Sequence, residues 1–109
     1  MVLMMVTIYC PPDKASALAK NYIEMLQKYP PDASISKTLV IGVRPTKDGI
    51  KIIGIGDIVK GKYGEALTRQ VRSAQETSVE IEGYRYEIET FMDITEAMPI
   101  VGMEAPENR

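Results

Sequence analysis

The chain has 109 residues and a mass of 12.1 kDa, enough for one domain with a buried core and too little for two. It contains no histidine, which excludes histidine-ligated haem, the usual histidine-containing zinc sites and every Ser-His or Cys-His nucleophile. A net charge of −2 and a pI near 5.2 provide no overall positive field for nucleic acid or anionic lipid.

The first part of the chain predicts a strand, a helix and a second strand. Residues 2–10 (VLMMVTIYC) form an apolar run of strand length that ends at two prolines. Helical spacing of apolar residues predicts a helix over 12–29, with Asp13 as its N-cap, that ends before a second proline pair. Residues 36–44 (SKTLVIGVR) are rich in β-branched residues, which favours a strand.

A turn then joins the second strand to a third that runs antiparallel to it. The turn is 45–49 (PTKDG), in which Gly49 can adopt positive φ. The next predicted elements are two strands and the helix between them: 50–59 (IKIIGIGDIV), 61–77 and 79–92 (VEIEGYRYEIETFM).

The end of the chain predicts a short closing helix over 93–101, capped by Asp93 or Thr95. A bend or bulge is expected at Gly83, within the fourth strand. The last residues, 104–109, are expected to be frayed. The chain 1–109 is therefore interpreted as a single domain.

The element order is β-α-β-β-α-β, which predicts an α+β domain with a four-stranded antiparallel sheet, strand order 4-1-3-2, and both helices on one face. This order, with runs such as VLMMVTIY and IKIIGIG, resembles the ferredoxin-like folds and, within them, the dimeric α+β barrel superfamily. The resemblance spans about residues 2–94 and rests on element order, so it assigns no catalytic residue.

Alternation along the strands predicts which side chains face away from the helices. Arg85, Glu87 and Glu89 form one set of the fourth strand, and burying them unpaired beneath the helices would cost several kcal/mol. The same test, applied to every strand, predicts an open face with these side chains: Met5, Thr7, Tyr9, Thr38, Val40, Gly42, Arg44, Lys51, Ile53, Ile55, Asp57, Val59, Arg85, Glu87, Glu89 and Phe91. Because this face is too apolar to contact only water, we expect it to form a homodimer.

The polar residues of the open face are the candidate ligand-binding cluster: Tyr9, Arg44, Asp57, Arg85, Glu87 and Glu89. Since strands 1, 3 and 4 are adjacent, several of these side chains are expected to converge. Arg85 would then hold a small polar or anionic ligand, and Asp57 or Glu87 would serve as a base. The simpler alternative is a ladder of cross-strand or intersubunit ion pairs that sets the register.

Other features indicate few further partners. Cys10 is the only cysteine, so no intramolecular disulfide forms, and a reducing, cytoplasmic location is expected. A buried role for Cys10 is favoured over a reactive thiol. No metal, cofactor or nucleic acid is expected, and no apolar run is long enough for a membrane span.

Three functions remain open. The first is a homodimeric small-molecule-binding or sensory protein. The second is a cofactor-free enzyme of the barrel type, such as an isomerase or a monooxygenase-like protein, which the missing histidine disfavours. The third is an interaction or structural subunit that binds no small ligand.

Overall fold

The computed structural model describes residues 2–104. Its four strands are β1 (Val2–Cys10), β2 (Ser36–Thr46), β3 (Gly49–Ile58) and β4 (Arg85–Met92). Its helices are α1 (Ala15–Lys28), α2 (Tyr63–Glu80) and the short α3 (Ile94–Ala97), with 3-10 turns at Pro12–Lys14 and Met98–Val101. The predicted order of the six main elements is confirmed.

The strands form one antiparallel sheet in the order β2-β3-β1-β4, which is the predicted order. At one end of the sheet Tyr9 lies opposite both Lys51 and Arg85, and at the other end Leu3 lies opposite Asp57 and Phe91. With the two long helices on one face, the domain has an α+β ferredoxin-like fold.

The core lies between the sheet and α2. Met4, Ile58 and Ala66 are at most 7% exposed and pack together with the buried Ile35. The surrounding side chains are partly buried apolar residues: Val2, Val6, Tyr63, Leu67 and Ile88. The β1 residues in this set are alternate ones, so the helices cover the face that alternation predicts.

The two long helices are joined by polar contacts. The Asn21 amide donates to Glu80 Oε2 at 2.8 Å, and the Thr77 hydroxyl donates to Asn21 Oδ1 at 2.7 Å. Asn21 and Thr77 are each only 3% exposed. Lys28 forms an ion pair with Glu76 nearby. The position of α1 therefore depends on hydrogen bonds as well as apolar packing.

Three predictions at the element boundaries are wrong. Asp13 lies in a 3-10 turn and not at the N-cap of α1, which begins at Ala15 without a side-chain cap. Helix α2 continues to Glu80, so residues 79–80 are helical and β4 begins only at Arg85. Gly83 has φ 86° in the turn between them and forms no bulge. An alternating run such as VEIE does not stop a helix that is already stabilised by packing.

A bulge in β2 corrects one residue of the open face. Thr38 lies opposite Gly56, whereas Val40 lies opposite Ile55, so Leu39 is the extra residue. Alternation predicts Thr38 on the open face, but its pairing places it on the helix side. Lys37, which lies opposite Asp57, is the residue on the open face at that point of β2.

Two turn and cap predictions are confirmed. Gly49 has positive φ, and a Cβ there would lie 2.2 Å from the Cys10 carbonyl oxygen. Asp93 caps α3 by accepting from the Thr95 amide at 2.8 Å. The predicted frayed tail lies outside the described residues, except for Glu104.

Candidate functional site

One row of side chains crosses the whole open face at the end nearest the β2–β3 turn. It contains one residue from each strand, in the spatial order Arg44, Lys51, Tyr9 and Arg85, and each is the direct partner of the next. Directly opposed residues of antiparallel strands point to the same face. We call these four residues the cationic row.

The two cations beside Tyr9 lie close to its ring. Lys51 Nζ is 5.8 Å and Arg85 Cζ is 5.1 Å from the ring centroid, within the range of cation–π interactions. Among residues 2–104, no carboxylate forms an ion pair with Arg44, Lys51 or Arg85. The row is therefore a concentration of positive charge with no carboxylate of the described residues in direct contact; the nearest on the same face is Glu87, two residues from Arg85.

Two shallow depressions border the cationic row. The larger, of about 220 Å³, is lined by Arg44 and Lys51 together with Gly42, Val43 and Ile53. The smaller, of about 80 Å³, extends around the end of the sheet from Tyr9 and Arg85 to these residues: Cys10, Pro11, Thr46, Asp48, Gly49, Ile50 and Gly83. Each depression thus has cationic side chains in its wall.

The predicted cluster does not converge as a whole. Tyr9, Arg44 and Arg85 share the cationic row, but Asp57 lies opposite Leu3, six residues along β1 from Tyr9. That separation is about 20 Å along a strand. The expectation that Asp57 acts beside Arg85 is wrong, because the register places them at opposite ends of the sheet.

The two β4 carboxylates occupy the middle of the open face. Glu87 lies opposite Thr7, and Glu89 lies opposite Met5. Both glutamates are exposed, and neither forms an ion pair with a described residue. The predicted ladder of ion pairs is therefore absent within residues 2–104 of a single chain.

Lys51 is the member of the row that the candidate cluster omitted. Alternation places it on the open face, but only the register makes it the neighbour of Tyr9. Counting both strands outward from the Gly49 turn would have identified it as the partner of Arg44.

An apolar band adjoins the cationic row. Met5, Ile53 and Ile55 are half-buried, whereas Val40 is 51% and Phe91 43% exposed. Val40, Ile55 and Met5 are direct cross-strand neighbours, so the band continues across three strands. Apolar surface of this kind on one side of a sheet is typical of an interaction site.

Cys10 is buried, with 3% of its surface exposed, and its Sγ donates to the Pro11 carbonyl at 3.5 Å. Burial, followed by the Asp13 carboxylate, raises the pKa of the thiol. Both effects disfavour the nucleophilic thiolate, so the geometry favours a packing role.

Residues 2–104 contain neither a metal-binding cluster nor a membrane-spanning helix. No group of three or more Cys, Asp or Glu side chains in this part of the chain is arranged to hold a metal ion. None of its helices combines the length and the apolarity that crossing a bilayer requires.

Comparisons with known proteins show a fold and no family. No protein-family model matches the chain, and no curated protein matches it. A solved structure titled de novo designed protein Foldit4 is 14% identical, with a TM-score of 0.59 over 84% of this chain and 97% of its own. The C-terminal domain of the MgtC protein from Mycobacterium tuberculosis is 12% identical, with a TM-score of 0.50 over 82% of this chain and 88% of its own. At these identities the likeness shows the α+β fold alone.

Proposed function

We propose that this chain is a homodimeric small-molecule-binding or sensory protein whose two open faces pack together. The observation that carries the proposal is the apolar band, in which Val40 and Phe91 are about half exposed and Ile55, opposite Val40, is partly exposed. A second sheet lying about 10 Å away would bury this band, as in the dimeric α+β barrels.

The same packing would create a chamber at one end of the interface. The cationic row lies at the edge of the apolar band. Its large Arg and Lys side chains would hold the two sheets apart at that end. A space lined by apolar and a few polar groups is the usual form of a small-molecule site. Because Cys10 is the only thiol, we expect the protein to act in a reducing compartment such as the cytoplasm.

The test uses two neighbouring residues of β2 that face opposite sides of the sheet. Val40 lies opposite Ile55 on the open face, and Ile41 lies opposite Gly54 on the helix side, yet their exposures are nearly equal at 51% and 52%. Val40→Glu places a charge in the proposed interface, whereas Ile41→Glu is a matched control with the same chemistry outside it.

Light scattering at low and high salt measures the outcome. The wild type and Ile41→Glu should have a mass of twice 12.1 kDa that persists in high salt, and Val40→Glu should be a monomer with an unchanged far-UV spectrum. A monomeric wild type, or equal dissociation of both variants, contradicts the proposal. A stable dimer whose melting temperature responds to no small molecule would favour an interaction subunit instead.

A further inference from the structure

We infer that the cationic row binds a small dianion, of the phosphate-monoester or dicarboxylate type, whose charge is shared by Lys51 and Arg85 at the edge of the Tyr9 ring. The inference rests on the proposed function, because it names the ligand class of the proposed chamber. It uses the positions of the cations and the absence of any ion pair between them and a described carboxylate.

Geometry allows one small molecule to contact both cations. The Cα atoms of Lys51 and Arg85 are separated by the β1 strand, a distance of about 10 Å. Their charged groups nevertheless both lie within 6 Å of the Tyr9 ring centroid. The two charged groups are therefore at most about 11 Å apart, and a small dianion lying at the electropositive edge of the ring can accept from the ammonium and guanidinium groups at once.

Charge determines the ligand class. Arg44, Lys51 and Arg85 add three positive charges in a single row, and no described carboxylate forms an ion pair with them. A monoanion would leave most of this charge uncompensated, and a neutral ligand would leave all of it. Guanidinium groups also bind two oxygens of a phosphate or carboxylate at once, which favours these groups over a halide.

The proposed dimer makes neutralisation more important. If a second sheet covers the row, the three cations lose water, and unpaired buried cations are strongly destabilising. A bound dianion compensates two of the three charges and so reduces this penalty, which couples ligand binding to dimer stability. Alternatively, Glu87 and Glu89 of the second copy could neutralise the row. The experiment distinguishes a bound dianion from these glutamates.

The experiment titrates the full chain with inorganic phosphate and with succinate at pH 8 by calorimetry. Acetate serves as the monoanion, and sodium chloride keeps the ionic strength constant. Phosphate or succinate should bind at least tenfold more tightly than acetate and should raise the melting temperature. Tighter binding of either dianion supports the proposed site. The dianion that binds more tightly shows whether the site prefers a phosphate or a dicarboxylate.

Variants locate the site. Lys51→Gln and Arg85→Gln should each weaken binding of the preferred dianion by about tenfold, since each removes one charge-assisted hydrogen bond. Lys37→Gln is the matched control, because Lys37 lies on the same face beside Asp57 at the far end of the sheet. Its affinity should equal that of the wild type.

Each result separates this inference from the proposed function. A dimer that binds neither dianion better than acetate overturns the inference and leaves the dimer intact. The inference also fails if Lys37→Gln weakens binding as much as Lys51→Gln does. It fails as well if the dimer binds neither anion and Glu89→Gln dissociates it. A monomer that binds phosphate through Lys51 and Arg85 overturns the dimer and retains the site.

Discussion

The two faces of the sheet contain similar apolar side chains but differ in how the chain covers them. On the helix face Met4 and Ile58 are each 5% exposed, whereas on the open face Val40 is 51% and Phe91 43% exposed. The covered face is stabilised by the chain's own helices. The open face has comparable chemistry and no covering element among residues 2–104, which is what an intermolecular surface requires.

The cover on the helix face is incomplete. Ile41 and Val43 lie on that side of β2, opposite Gly54 and Ile52, yet they are 52% and 66% exposed. The core is concentrated over β1 and the end of β3, so β2 is exposed on both faces. In the central strand β1 the contrast is between Met4 and Met5, since the open-face Thr7 is itself only 4% exposed.

The largest effect is expected from a pair of neighbouring methionines in β1. Met4 is buried against Ile58 and Ala66, while Met5 points to the open face and is only partly buried. Met4→Ala should lower the free energy of unfolding by about 2–5 kcal/mol, because it leaves a cavity in the core. Urea unfolding of both variants measures the difference.

Met5→Ala is the matched control for that experiment. In dilute protein it should cost about 1 kcal/mol or less, because its side chain is already partly hydrated. At high protein concentration its effect should increase if the open face is a dimer interface. Equal losses for Met4→Ala and Met5→Ala at low concentration would remove the distinction between the faces.

A smaller effect is expected at the contact that fixes α1 over the sheet. Asn21→Ala removes the hydrogen bonds to Glu80 and Thr77, leaving the Thr77 hydroxyl only its bond to the Ser73 carbonyl, and should cost about 1–3 kcal/mol. Lys20→Ala, at the exposed neighbouring position, should be nearly neutral. Thermal unfolding of the two variants measures the difference, and a neutral Asn21→Ala would mean that the Asn21 hydrogen bonds are not needed to hold α1 in place.

The smallest effect concerns Tyr84, at the end of the turn that leads into β4. Burial, followed by the neighbouring Tyr86, raises the pKa of Tyr84 to about 12. An unfolded tyrosine ionises near pH 10, so between about pH 10 and 12 the unfolded chain has lost a proton that the folded chain keeps. Stability should therefore fall as the pH rises through this window.

Ultraviolet absorbance of the phenolate measures that titration in the folded protein. Tyr84→Phe should remove the step near pH 12 and should weaken the loss of stability between pH 10 and 12. An unchanged absorbance curve in Tyr84→Phe would show that another tyrosine titrates last.

Much of the fold follows from local patterns in the sequence. Alternation in β1 separates Met4 from Met5 correctly, and the turn before Gly49 defines the β2–β3 hairpin. The Asp93 cap is predictable because an Asp before a helix accepts backbone N–H groups. These features depend on one strand, one turn or one helix end at a time.

Features that depend on two elements at once are harder to predict. The bulge at Leu39 and the separation of Asp57 from Arg85 both follow from register, which no single strand specifies. The start of β4 differs from its predicted position, because packing and the positive φ of Gly83 decide where α2 ends.

The amino-acid pattern alone determined the β-α-β-β-α-β order, the sheet order and the side of each central strand that the helices cover. The element order and the covered side follow from periodicity, which is a local property, and the sheet order follows from the element order by the packing rules of small α+β domains. The tertiary structure decided that Arg44, Lys51, Tyr9 and Arg85 form one row, and that Asp57 lies at the other end. The physical reason is that a cross-strand row exists only once strands distant in sequence have paired in one register.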